Sequence, residues 1–441
     1  MKQPLKKRGW VWAGVALGLL MAASGWVLFL NRLDEAPLPA LHAAAPASFE
    51  VVARGQYLAR VGNCIGCHTA RGGRDYAGGA GVQTPFGAIY APNLTPHAGT
   101  GLGGWTAAEF WRAMHNGRSR DGRLLYPAFP YPNYTLVTRE DSDALFAYLQ
   151  SLEPVDNASP AHALRFPFNT QAALAVWRAL FFRPAAPSER AVMAATPVDA
   201  TQQARLNRGA YLVQGLGHCA ACHTPRNAWG APRARASLQG GMVAGQGWYA
   251  PALDMPSEAG LAGWDADDAA VLLATGVSAR ASVSGPMADV VFHSLQYWSE
   301  ADMQAAVAWL QALPQRPPSA SGDAARPSQA ALQRGEQLYG RHCAECHGNQ
   351  GEGRAQAFPA LAGNRAVLLQ DPTNLVRLVL QGGYAPATAG NPRPFGMPPF
   401  MQTLSDQETA DVLSFIRNAW GNEAGKVDTM AVHRARERRG P

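Results

Sequence analysis

A five-residue pattern, Cys-x-x-Cys-His, occurs three times and constrains this chain more than anything else in it. Cys64, Cys67 and His68 form the first copy. Cys219, Cys222 and His223 form the second, and Cys343, Cys346 and His347 the third. The spacing has a chemical reason. Two thiols this close can each bond one vinyl group of the same porphyrin, and the adjacent imidazole ligates its iron from the proximal face. The six cysteines are therefore read as the thioether residues of three covalent haem c groups. His68, His223 and His347 are read as proximal iron ligands.

Other uses of Cys-x-x-Cys fit less well. A thioredoxin-like redox pair needs a βαβ context, and none surrounds these stretches. A structural zinc site needs four ligands, usually from two paired motifs. Here each pair has its own histidine, and no cysteine stands outside the motifs.

With 441 residues, 47 % of them apolar, the chain can build several cores. Charged residues are sparse while glycine and proline are plentiful, which predicts short helices joined by long ordered loops. The formal charge is +6, and much of the excess lies at the ends, in Lys2, Lys6, Lys7 and Arg8 and in Arg434, Arg436, Arg438 and Arg439. No basic stripe with interleaved aromatics crosses the body, so nucleic acid is not an expected partner.

Residues 10–30 carry no charge. As a helix rising ~1.5 Å per residue they reach ~30 Å, the thickness of a bilayer core. Trp10, Trp12 and Trp26 suit the two interfaces. A cleaved signal peptide has a shorter apolar region of roughly 7–15 residues and a small-residue cleavage site at its end. Residues 1–31 are accordingly expected to be an uncleaved anchor, with a signal peptide as the alternative. The basic start then stays in the cytoplasm, and the body faces the periplasm from the inner membrane.

The remainder divides into three copies of one helical unit, at 49–152, 201–313 and 328–420. Each opens on a helix with a shared Arg-Gly pair: Arg54-Gly55, Arg208-Gly209 and Arg334-Gly335. Each closes on another helix, the first after Thr138 with Asp141 expected in a capping box, the last after Ser405 with Glu408 in a capping box and ending near Trp420. The early glycine is expected to let the two helices cross closely, against Tyr148, Trp309 or Phe415. Residues 32–48 and 314–327 read as linkers and 153–200 as a connector. Its apolar stretch 172–182 packs on the adjacent unit, on a partner or on the membrane surface. The tail 421–441 is basic and expected to be flexible.

A six-coordinate haem c usually pairs its histidine with a methionine, which raises the potential. Met287 and Met397 stand in Pro-flanked stretches expected to be irregular loops, just before the closing helices, and are the predicted sixth ligands. Met401 is the alternative in the third unit. Met242, Met255 and Met303 are weaker choices in the second. His218 and His342 precede motif cysteines and are expected to bond locally, and His97 and His293 to lie in loops or on the surface. In the first unit the repeat puts Phe129 where a methionine is needed, and Phe offers iron no lone pair. Three options remain for that iron: Met114, which otherwise fills a core; His115; or an open or water-held site. No Ser-His-Asp set, phosphate loop or dinucleotide fingerprint is present.

These units resemble the triheme cytochrome c subunits of membrane-bound periplasmic dehydrogenases acting on alcohols, gluconate, sorbitol or aldehydes. The resemblance covers residues 49–420. Asp121-Gly122-Arg123-Leu124-Leu125-Tyr126-Pro127-Ala128, Gly285-Pro286-Met287-Ala288 and Met397-Pro398-Pro399-Phe400 carry it. It implies an all-α fold of three tandem cytochrome c-like domains behind an N-terminal transmembrane helix. It also implies a large catalytic partner subunit (a molybdenum enzyme, quinoprotein or flavoprotein), in some cases a small iron-sulfur subunit, and ubiquinone or another respiratory acceptor. Met287 and Met397 match the family's axial positions. Where the family has Tyr-Pro-Ala-Met-Pro-Tyr, this chain has Tyr126-Pro127-Ala128-Phe129-Pro130-Tyr131. That variant is closer to cytochromes accompanying molybdenum-dependent aldehyde or N-heterocycle dehydrogenases. The expected function is electron transfer by a non-catalytic redox subunit. A peroxidase-like haem enzyme with an open first iron and a terminal-oxidase subunit are the alternatives.

Overall fold

The computed structural model describes residues 5–32, 47–186, 198–243, 245–317, 325–355 and 357–437. Helices dominate. The chain opens with α1 (Leu5–Leu30), whose apolar run from Trp10 onward is long enough to cross a bilayer and stands outside the packed body. Next come α2 (Phe49–Val61), α3 (Cys64–His68), α4 (Ala107–Asn116), α5 (Tyr131–Tyr134) and α6 (Arg139–Gln150), then α7 (Gln171–Phe181) in the connector. A second series follows: α8 (Ala200–Ala210), α9 (Ala220–His223), α10 (Ala266–Thr275), α11 (Pro286–His293) and α12 (Glu300–Gln311). The last series is α13 (Gln329–His342), α14 (Ala344–His347), α15 (Arg365–Leu368), α16 (Thr373–Gln381), α17 (Asp406–Ile416) and α18 (Thr429–Glu437).

Three helix crossings organise the body, and each needs a glycine. A β-carbon on Gly55 would sit 1.9 Å from the Ala144 carbonyl oxygen, one on Gly209 2.1 Å from that of Ala305, and one on Gly335 2.3 Å from that of Asp411. No side chain fits in such gaps, so α2 crosses α6, α8 crosses α12 and α13 crosses α17 backbone to backbone. The expected aromatics lie at the contacts: the same β-carbons would meet those of Tyr148, Trp309 and Phe415. An arginine just before each glycine pins the partner helix, with Arg54–Asp141 and Arg208–Asp302 at 2.6 Å and Arg334–Asp411 at 2.7 Å.

The first two crossings are joined to each other. The Tyr57 hydroxyl donates to Asp302 at 2.6 Å, and the Tyr211 hydroxyl donates back to Asp141. Each tyrosine thus binds the other pair's carboxylate, and one continuous apolar core runs through both, from Leu58 and Leu145 to Leu212 and Leu310. Gln337 takes the tyrosine position at the third crossing and is exposed; the core there, around Leu338, Leu380 and Leu413, is separate. Polar contacts connect it to the rest. Asn374 on α16 accepts from the Tyr249 N–H and donates to the Tyr249 carbonyl, at 2.8 and 2.7 Å.

Small antiparallel sheets hold the loops. β1 (Gly81–Thr84), β2 (Gly87–Tyr90) and β3 (Ala163–Leu164) lie in that order, with Val82 opposite Ile89 and Ala88 opposite Ala163. β4 (Gly241–Met242) pairs with β5 (Tyr249–Ala250), and β6 (Gly383–Tyr384) with β7 (Gly396–Met397).

Four expectations need correction. Met287 does not sit in a loop: Pro286 occupies the first position of α11, a favoured start for a helix, and Met287 follows on its first turn. Met397 belongs to β7, opposite Gly383. The closing helix α17 ends at Ile416 rather than near Trp420. The tail is ordered over α18, which buries Val432 and Ala435 in the third core while Arg436 pairs with Asp406 at 2.6 Å. One element was not anticipated. Cys219 stands one residue further from its crossing glycine than Cys64 does, and the extra residue is absorbed as a π-helical turn at Tyr211–Leu216.

Candidate functional site

Each Cys-x-x-Cys-His stretch forms a short helical turn at the end of an opening helix, so its two cysteines and its histidine share one local frame. Across from each turn a proline carbonyl meets the imidazole. His68 Nδ1 lies 2.8 Å from Pro92 O, His223 Nδ1 2.7 Å from Pro251 O, and His347 Nδ1 2.9 Å from Pro359 O. A carbonyl only accepts, so Nδ1 carries the proton and Nε2 is left as a lone-pair donor. Burial lowers the pKa of all three histidines, which keeps the rings neutral. A histidine that ligates a metal is held in its tautomer and orientation by a partner of this kind on its other ring nitrogen. Nothing in one sequence tied these proline carbonyls to the histidines.

The cysteines sit in apolar surroundings. Burial, with the neighbouring motif cysteine, pushes the Cys64 and Cys219 thiols up to about 12 and the Cys343 thiol to about 11. Reactive redox cysteines have lowered values, so these positions suit a thioether better than a dithiol switch. Among the described residues no three His, Cys, Asp or Glu side chains gather as a bare metal centre would need.

The predicted sixth-ligand residues are distributed unevenly. Met287 is half-buried against the shared core, and Met397 is half-buried against the third core, with Met401 beside it in that packing. Met255 and Met303 are core residues, and Met242 is exposed. In the first unit Met114 is 5 % exposed within the core. His115 stacks on Trp111 with ring centres 4.6 Å apart, and its Nδ1 lies 2.7 Å from Asn116 Oδ1. Phe129 packs on Tyr134 at 5.3 Å. Tyr134 itself was missed by the sequence reading. It is buried, its hydroxyl donates to the Gly62 carbonyl at 3.3 Å, and burial beside Cys64 and Cys67 drives its pKa well up, so it stays a neutral phenol.

His218 does not bond locally as expected. Its Nε2 approaches the same Gly62 carbonyl at 3.3 Å, and its ring meets Tyr134 edge-on at 5.5 Å. The turn before the second motif therefore rests on the turn before the first. Cys222 is also among the groups that raise the pKa of Cys67, after burial. His342 is exposed, with its ring near that of Phe400. His97 lies in a loop beside Thr100, and His293 ends α11.

A carboxylate-bearing porphyrin fits one further feature. The Trp264 indole N–H is buried without a hydrogen-bond partner, and Trp264 is only 6 % exposed. The guanidinium groups of Arg280 and Arg365 lie 4.9 and 4.8 Å from its ring centre. Burial, together with Arg280, lowers the pKa of Arg365 to about 10. Two cations and an unpaired N–H at one place are a cradle for a carboxylate.

Comparison with known proteins agrees with this chemistry. The cytochrome c family pattern matches residues 52–153 and 332–420. The cytochrome c subunit of the quinone alcohol dehydrogenase of Gluconobacter oxydans (strain 621H) is 36 % identical over 446 residues, covering 98 % of this chain and 88 % of that one. This chain belongs to the cytochrome c subunits of bacterial dehydrogenases. The gluconate 2-dehydrogenase cytochrome c subunit of Pantoea cypripedii is 37 % identical, covering 92 % of each chain. A nicotinate dehydrogenase subunit of Pseudomonas putida is 38 % identical over all of this chain but only 36 % of its own length. As a member of this family the chain is an electron-transfer cytochrome with covalently bound haem c.

Proposed function

We propose that this cytochrome carries three haem c groups in three domains, 49–152, 201–313 and 328–420, and passes electrons from a periplasmic dehydrogenase towards the respiratory chain. The threefold recurrence of a motif histidine whose Nδ1 faces a proline carbonyl carries the reading. Each haem supplies a one-electron couple at its iron. The chain's own residues do the rest. Cys64 and Cys67, Cys219 and Cys222, and Cys343 and Cys346 would hold the porphyrins. His68, His223 and His347 would present Nε2 to the irons, with Met287 and Met397 opposite the second and third. Trp264, Arg280 and Arg365 would receive a propionate of the second, with Arg365 supplied by the third domain.

The contact between the turns at Gly62 and His218 supports exchange between the first two groups. Residues 1–31 would anchor the body to the inner membrane, facing the periplasm. The partner would be a large catalytic subunit, and the acceptor ubiquinone or another respiratory carrier. The replacement of the family's methionine by Phe129, together with the similarity to a nicotinate dehydrogenase subunit, favours a molybdenum-type partner with its small iron-sulfur subunit. The test is haem counting: Cys64→Ala with Cys67→Ala is expected to leave two covalent haems by intact mass, and an unchanged count would overturn the assignment.

A further inference from the structure

The connector helix α7 is built into the body on one side only. Leu174 and Trp177 are buried, and the Trp177 indole donates to the Trp229 carbonyl at 3.0 Å. Arg178, 2 % exposed, lies over the rings of Tyr131 and Phe182 and donates to the Asn116 carbonyl at the end of α4. Ala172, Val176 and Leu180 follow at four-residue intervals on the opposite side. All three are exposed, Leu180 by 62 %. Phe166, just before the helix, is 81 % exposed. The segment 165–183 has no acidic residue, and Arg165 and Arg183 stand at its two ends.

What covers this face follows from where α7 is fastened. Asn31 is the first residue beyond α1. Its amide donates to the Ala175 carbonyl at 2.9 Å, its side-chain oxygen accepts from Arg178 Nε at 3.2 Å, and its carbonyl accepts from Arg118 at 3.1 Å. With α1 across the bilayer, Asn31 marks the level where the hydrocarbon ends. A helix bonded to it at two points lies at that same level. An apolar stripe flanked by arginines is what a helix lying in the interface presents to lipid.

We propose that the exposed face of α7, with Val176 and Leu180 at its centre, is a bilayer-contacting shelf that seats the first haem unit on the membrane beside the anchor. The proposal rests on reading α1 as membrane-spanning. With the anchor α1, the shelf gives the first unit two attachments, so it keeps one orientation to the membrane surface.

The test uses the full chain in spheroplasts, produced without a dehydrogenase subunit, and a membrane-impermeant PEG-maleimide read as a gel shift. With three haems attached, all native cysteines are thioethers, so Val176→Cys or Leu180→Cys provides the sole free thiol. Glu153→Cys, on a side chain 75 % exposed, is the control. Modification at positions 176 and 180, normalised to the rate in detergent-denatured protein, is expected to be about tenfold slower than at the control, because thiol reactivity follows access. Equal rates in membrane-bound protein would overturn the shelf. So would protection that appears only when a dehydrogenase subunit is co-produced, which would make α7 a protein-docking face. Release of the chain on washing would remove the anchor and the shelf together. A shift in the wild-type chain would instead count against the three-haem reading, leaving the comparison of rates to be made by peptide mass.

Discussion

Phe129 stands where the other two units have Met287 and Met397, the methionines proposed above as iron ligands. Around it the structure has a buried phenol, Tyr134, rather than a new donor, and that phenol is already committed to the Gly62 carbonyl. Met114 is packed in the core, and His115 is stacked on Trp111 and hydrogen-bonded to Asn116. Both side chains are held by these contacts, so the first iron is expected to have a lower potential than a His/Met haem. Replacing Phe129→Met should supply the missing thioether and raise one of three potentials, leaving the other two in place. A redox titration followed by low-temperature magnetic spectroscopy reads both the shift and the ligand pair. Three His/Met signals in the unaltered protein, surviving Met114→Leu, would show that the first iron already has another sulfur ligand.

At the scale of elements, the crossings were legible because their cause is local. An Arg-Gly pair repeated before each motif announces a close backbone approach, and the Ser405–Glu408 capping box forms as its spacing implies. The Thr138 cap forms too, but Asp141 does not complete the box, because its carboxylate serves Arg54 and Tyr211 instead. That exchange was illegible, since it joins residues far apart in sequence through an interface no periodicity reports. The same holds for α18 and for Asn31 on α7. The buried carboxylates make the exchange measurable. Burial pulls the pKa of Asp302 upward, but hydrogen bonds from Arg208 and Tyr57 outweigh it and hold the group below the usual carboxylate range. A depressed folded pKa gives stability that is full above the unfolded value of ~3.9 and fades as pH falls through the folded value. Asp302→Asn is therefore expected to cost about 2 kcal/mol at pH 7, discounted for the part-exposed arginine, and progressively less below about pH 4. Denaturant unfolding of both proteins across that range tests the sign. A cost that grows in acid would show that the carboxylate is not held charged.

The whole molecule is two bodies rather than three equal beads. The first two crossings share one apolar core and exchange their tyrosines, whereas the third core is closed by its own tail helix and meets the second through Asn374, Arg365 and a few loop contacts. Cooperative unfolding follows shared apolar packing more than isolated polar contacts. Holo protein should therefore unfold in guanidinium in two steps, each carrying part of the helical and haem-band signal. Leu145 and Leu413 are almost fully buried, one in each core. Leu145→Ala should lower only the step belonging to the joined pair, and Leu413→Ala only the other, each by about 3 kcal/mol, the usual cost of such a cavity. Resolved steps with crossed effects would mean that the polar contacts at Asn374 and Arg365 couple the bodies. A single transition moved equally by both variants would mean that haem attachment and those contacts together make one cooperative unit, and the division into two bodies would have to be given up.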